Sequence, residues 1–286
     1  MSDAYEVTLA ATCADPWLTC VPSAIILTMK DRGRDIHLAS LSKLCARTYV
    51  QYNAGFKQAR KPAWVNNSCT DLTHAYMHAC AFAKDMGYVL ILEDDARLAH
   101  RASRADFARV DYGIRALTPR LYTLGSFGIT VPTPFALDHA RVLCGIFTCS
   151  QAIVWSPEAR TRLLRHEAFG PNFEHIDGGY LAFVGGTYTY HSPLVVQRLA
   201  PTLNSDGWCF FCDNSLLDRT LMMSWKRFLT IFSFDTTDEG WYLLYRLQSV
   251  LASSIVASVL MLVLAARNST PSFSGSTSLE RGARLR

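Results

Sequence analysis

The stretch Tyr88-Val-Leu-Ile-Leu-Glu-Asp-Asp-Ala96 constrains this chain more than any other. Its apolar run predicts a strand buried on both faces, as in the middle of a parallel or mixed sheet. Glu93, Asp94 and Asp95 then fall where the strand leaves the sheet at its carboxyl end. Open α/β sheets bind their ligands in that crevice. Three carboxylates packed there repel one another and lose solvation, so the arrangement calls for a cation or hydrogen-bond donors. Oxygen ligands at a dedicated turn suit Mg²⁺ or Mn²⁺, ions that commonly grip a diphosphate. The acids therefore read as a metal–diphosphate site.

A chain of 286 residues, 50% hydrophobic and 18% charged, has room for one large α/β domain with an appendage. The net charge of +4 is small, and most of it falls in residues 267–286. Nucleic acid is not an expected partner, since a basic face would show as clustered Lys and Arg. Arg97, Arg101, Arg104 and Arg109 come closest, but Asp106 and Asp111 interrupt them, which predicts a solvated helix face. The nine cysteines form no small-domain framework, and Cys209-Phe-Phe-Cys212 lacks the further ligands of a zinc site. Met1-Ser-Asp-Ala-Tyr-Glu6 has neither the basic nor the apolar region of a secretory signal, so a reducing, cytosolic setting is expected for the domain.

The order of elements predicts a mainly parallel sheet. Residues 1–21 carry no clear period and read as a variable lead-in. Ala24–Thr28 is a first strand, Ile36–Ala46 has helical spacing, and Tyr49–Tyr52 is a second strand. Ser68–Met86 reads as a helix ended by Gly87, and the acid-bearing strand follows. This strand–helix–strand–helix–strand order argues an α/β fold. Further on, Arg101–Leu117 reads as a helix and Arg120–Leu124 as a strand, with Val131–Asp138 a loop and Thr148–Trp155 a strand. Ser156-Pro157 starts a helix, with Ser as N-cap and Pro at the first position. Asp177 begins a short helix or turn, and Thr187–His191 is a last short strand. The main domain is thus expected over 22–215 and a C-terminal helical region over 216–286.

Within that region, Leu247–Ala266 is a run of twenty residues without charge, and Trp241, Tyr242 and Tyr245 stand just outside it. A helix of that length spans roughly 30 Å, the thickness of a bilayer core, and the aromatic residues would form an interfacial belt. This predicts membrane association with the large domain in the cytosol; a soluble cytoplasmic protein with a buried or partner-binding helix is the alternative.

No GxxxxGK[ST] loop, no GxGxxG after the first strand and no GxSxG elbow occurs. Four blocks do occur in order: Ala24-Ile-Ile-Leu-Thr-Met-Lys-Asp-Arg32, Asp71-Leu-Thr-His74, Val89-Leu-Ile-Leu-Glu-Asp-Asp-Ala96, and the run from Ile176-Asp-Gly178 through His191-Ser-Pro-Leu-Val-Val-Gln197 to Ser205-Asp206. In these the chain resembles glycosyltransferase family 25, the lipooligosaccharide-type β-galactosyltransferases and their collagen-modifying relatives, over about residues 24–206. Thr73 stands where that family usually has Ser, and the hydrophobic tail and cysteines are outside its pattern. The resemblance implies a GT-A-like fold with a Rossmann-like mixed, mainly parallel sheet flanked by helices. It also implies a UDP-sugar donor and an inverting, metal-dependent transfer of a hexose, galactose or glucose, to a hydroxyl of a glycan or glycoprotein acceptor.

Roles follow from that chemistry. A divalent ion neutralises the leaving diphosphate. Asp95 is the expected metal ligand, with Glu93 and Asp94 sharing metal or ribose contacts and His191 either a second ligand or a structural strand-end residue. Arg32 and Arg34 either reach the diphosphate or form a surface turn; His74 lines the donor pocket or packs. An inverting transfer needs a general base, and Asp177, flanked by glycine, is the candidate beside a plain N-cap role. Trp155 and Tyr180 either stack on sugars or belong to the core. Two rival readings keep the acids: a non-catalytic membrane-associated binding protein with a sugar-nucleotide fold, and a metal-dependent phosphodiester hydrolase.

Overall fold

A computed structural model describes residues 4–30, 37–57, 60–132, 139–148, 151–165, 176–181, 184–197, 216–231, 237–247, 250 and 254. The strands are β1 (Tyr5–Thr12), β2 (Ser23–Met29), β3 (Arg47–Asn53), β4 (Val89–Glu93), β5 (Ala96–Leu98), β6 (Leu121–Thr123), β7 (Phe127–Pro132), β8 (Ala140–Thr148), β9 (Ala152–Trp155), β10 (Thr187–Tyr190) and β11 (Val195–Gln197). The helices are α1 (Leu38–Leu41), α2 (Ser68–Phe82), α3 (Arg104–Leu117), α4 (Pro157–Arg165) and α5 (Leu216–Ile231).

One mixed sheet holds nine strands in the order β1-β3-β2-β4-β9-β6-β10-β8-β7, and β11 pairs with β5 in a separate ribbon. The pairings make β2, β3, β4, β6, β7 and β10 run one way and β1, β8 and β9 the other. The expected α/β class, a large mixed sheet with most strands aligned and helices beside it, is the fold observed.

Central position explains the apolar runs. In β4, Val89 and Ile91 face one core with Tyr76 of α2 and Leu163 of α4, while Leu90 and Leu92 face a second core with Phe107, Val110 and Ile114 of α3. Strands β2 and β9 divide their residues between the same two cores by the same period of two. Helix α2 starts at Asn67, whose side chain accepts from the Cys69 and Thr70 amides while Thr70 bonds back to the Asn67 amide. Helix α4 starts as expected, with Ser156 Oγ accepting from the Ala159 amide at 3.1 Å. Arg160 is fully buried, its guanidinium donating to the carbonyls of Gly87 (2.8 Å), Trp155 (2.9 Å) and Met86.

Several expectations are corrected. Residues 5–12 are a strand of the main sheet rather than a lead-in, paired antiparallel with β3, and Leu18 and Val21 belong to the second core. Ile36–Ala46 holds one helical turn, α1, followed by turns; Leu41, Leu44 and Cys45 are buried all the same. The loop expected from Val131 begins inside β7, and Thr187–His191 is not the last strand, because β11 follows. A helical segment over 239–247 packs on the domain, with Trp241 and Tyr245 buried, so these aromatic residues do not form a membrane belt. Among the described residues no helix is long and apolar enough to cross a membrane; nearly all of 247–266 lies outside them.

Candidate functional site

Strands β2, β3 and β4 are parallel and end together: Met29 stands opposite Asn53, and Leu27 opposite Glu93. Glu93, Asp94 and Asp95 therefore do lie at the carboxyl edge of the sheet centre. The strand period sends them in different directions. Glu93 continues the side occupied by α2, where Tyr76 Oη donates to its Oε1 at 3.1 Å, and its amide donates to the Gln151 carbonyl at 3.0 Å. Asp94 turns toward β2 and accepts from Thr28 Oγ1 at 3.0 Å. Asp95 turns toward β11 and accepts from Gln197 Nε2 at 2.7 Å. These three donors are neutral, and each holds one carboxylate by a hydrogen bond.

Among the described residues no three His, Cys, Asp or Glu side chains converge in an ion-sized group. A cage made by all three acids is thus not formed. The donor set still fits a hard divalent ion, because Mg²⁺ is commonly held by one or two carboxylates with water and substrate phosphates in its other positions.

His191 follows the end of β10, a strand separated from β4 by β9 and β6. Its amide and its Nδ1 both meet the His139 carbonyl, at 2.9 and 3.2 Å. A carbonyl can only accept, so the Nδ1 in this contact carries a proton. The ring has ligand chemistry, and among the described residues it belongs to no group of three His, Cys, Asp or Glu side chains.

His74 sits in a buried network that the sequence did not disclose. Tyr5 Oη lies 2.7 Å from its Nδ1, and Trp64 meets the ring edge-on. Burial, and then the nearby Lys61 charge, push the His74 pKa down to about 4, so the ring is neutral at pH 7. Lys61 is buried in an ion pair with Asp71, which also accepts from Asn53 Nδ2 at 3.0 Å, and the Lys61 ammonium stands 4.6 Å from the centre of the Tyr5 ring. This network ties the end of β3 to the start of α2, so His74 packs rather than presenting itself to a ligand.

Tyr180 stacks on Trp155 at 5.8 Å with an interplanar angle of 5°, and its hydroxyl donates to the Ala159 carbonyl. Both rings are core, and not available to a sugar. Asp177 lies in a π-helical turn, Ile176–Leu181, and its side chain is outside the described set, as are Arg32, Arg34, Ser205 and Asp206. Arg97, Arg101, Arg104 and Arg109 each pair with an acid (Asp238, Glu239, Asp15 and Asp106), as a set of separate ion pairs rather than a basic face.

Two contributors near the acids escaped sequence reasoning. Gly125, beyond the end of β6, lies so close to β11 that a Cβ would overlap the Val195 carbonyl oxygen. Gln151 bridges the same place, its Nε2 donating to the Gly125 carbonyl while its own carbonyl takes the Glu93 amide. Only a Gly-Ser after a predicted strand hinted at the first, and nothing local marked the second.

No family model matches the chain, and no curated protein does. Among solved structures, the crystal structure of mannose-1-phosphate geranyltransferase from Thermus thermophilus is similar over 60% of this chain and 73% of that one, at 12% identity and a TM-score of 0.39. That likeness is too loose to say anything about activity.

Proposed function

We propose that this chain is a nucleotide-sugar-dependent transferase, and more closely a metal-dependent inverting glycosyltransferase that moves a hexose from a UDP-sugar to a hydroxyl of a glycan or glycoprotein. One observation carries the reading: the buried central strand ends in two carboxylates, Asp94 and Asp95, each oriented by a neutral donor at the edge where α/β sheets take their ligands. The resemblance of the ordered blocks to glycosyltransferase family 25 suggests the donor and the stereochemistry.

In this reading Asp95, with a contribution from Asp94, would hold Mn²⁺ or Mg²⁺. The ion's contribution when bound is to offset the charge of the departing nucleoside diphosphate. Thr28 and Gln197 each fix one of the two carboxylates by a hydrogen bond, which would lower the reorganisation needed when a charged substrate arrives. Asp177, beside glycine at the start of a helical turn, is the candidate for the base that would take the acceptor's proton in an inverting transfer.

A panel of nucleotide sugars with Mn²⁺, read by thermal shift, tests this, since a ligand bound to the folded state raises its stability by mass action. The expected result is a rise of Tm with UDP-sugars that requires Mn²⁺ and vanishes in Asp95→Ala, together with sugar transfer on supply of acceptor. UDP binding without transfer or donor hydrolysis points to a binding protein. Cleavage of simple phosphodiesters with no preference for UDP points to a hydrolase.

A further inference from the structure

The chain leaves the acid turn directly into β5, and β5 pairs with the three-residue strand β11 so that Ala96 faces Gln197. A two-stranded ribbon is marginal by itself, and here residues from 238 onward clasp both of its strands. Trp241 is fully buried and its Nε1 donates to the Gln197 carbonyl at 3.1 Å. Gln197 is therefore gripped through its backbone by the C-terminal segment while its side chain grips Asp95. On the other strand, Arg97 reaches the buried Asp238 at 2.5 Å, and Asp238 also accepts from the His100 amide at 2.8 Å. Tyr242 Oη takes the Arg101 amide at 3.2 Å, and its ring lies under the Arg101 guanidinium at 4.5 Å.

We propose that Gln197 is a positioning residue for Asp95, and that the segment 237–247, through Trp241 and Asp238, holds Gln197 where it can act. This rests on the reading of Asp95 as a carboxylate that binds a divalent ion. Partners that orient a metal-binding carboxylate typically change metal affinity about 10–100-fold when removed. The C-terminal segment is then a working part of the site, and a displacement of 237–247 would reach the acid turn without touching it.

The test is a Mn²⁺ titration in the presence of UDP on the full chain, with apo melting temperature measured alongside. Gln197→Met removes the donor and keeps the volume; Trp241→Phe removes the N–H and keeps most of the ring; Arg104→Ala, an exposed residue on α3, is the control. The expected result is Mn²⁺ affinity about 10-fold weaker in Gln197→Met, and weaker to a lesser degree in Trp241→Phe. The apo Tm of Gln197→Met stays near that of the parent, the control is unchanged, and the electron-spin resonance line of bound Mn²⁺ broadens in Gln197→Met. The double variant should bind no more weakly than Gln197→Met alone, because the two residues act in series. Parent affinity in Gln197→Met overturns the proposal while leaving the acid site standing, and so do strictly additive losses. Absence of Mn²⁺ binding by the parent chain overturns the underlying reading and the proposal with it.

Discussion

At the scale of single residues, the buried charges and rings make the sharpest statements. Burial and Lys61 hold the His74 pKa near 4, against an ordinary value of 6.5. The folded state therefore resists protonation that the unfolded chain accepts, so stability is full above about pH 6.5 and falls as pH drops toward 4. The loss attributable to His74 is on the order of 3 kcal/mol. His78, also lowered by burial, acts in the same direction. Urea unfolding at pH 7 and pH 5 should show a smaller pH-dependent loss in His74→Phe than in the parent chain; an equal loss would remove His74 from the account. Arg160 makes a second case, because its truncation leaves the buried Trp155 carbonyl and the part-buried carbonyls of Gly87 and Met86 without their donor. An unsatisfied buried group costs roughly 1–3 kcal/mol, and the two part-buried carbonyls can turn to water, so Arg160→Ala should lower unfolding free energy by roughly 1–3 kcal/mol. Arg160→Lys should recover only part of this, since an ammonium lacks the planar fork.

At the scale of elements, the contact between the end of β6 and β11 is the most demanding. Gly125→Ala has no room beside the Val195 carbonyl and must push the ribbon away from the sheet. The expected outcome is a loss of several kcal/mol, on the scale of other large steric misfits, seen as a lower urea midpoint; a midpoint within experimental error of the parent would contradict the close approach. The ribbon is also where sequence reading failed. β2 and β4 were legible because burial on both faces leaves an apolar run, and α2 to α4 because caps and spacing mark them. β11 and β5 are three residues each, too short to carry a period, and exist because they pair with one another. β1 was hidden for a different reason. As an edge strand it leaves Leu9 more than half exposed, so its pattern does not alternate cleanly. The helix expected over Ile36–Ala46 shows the converse, since Leu41, Leu44 and Cys45 keep their buried places in a backbone that is mostly turn.

At the scale of the whole molecule, the sheet separates two apolar cores and collects the acid turn, Gln151, Gly125 and Gln197 on one edge. Sequence located that edge from one strand, because a parallel strand ending in acids fixes both depth and direction. It did not foresee how far apart three consecutive carboxylates would point, which the alternation of side chains and the placement of Thr28, Tyr76 and Gln197 decide. Nor did it foresee that Trp241, Tyr242 and Tyr245 serve the domain rather than a bilayer; aromatic residues beside an apolar run look the same in either setting until their partners are known. The central claim is that Asp95, with Asp94, holds a divalent cation against a diphosphate. Anomalous scattering at the manganese edge, from crystals grown with Mn²⁺ and UDP, tests it most directly. The account predicts a peak within coordination distance of the Asp95 carboxylate and of the diphosphate oxygens; UDP bound with no peak there, or a manganese ion seated away from Asp94 and Asp95, would contradict it.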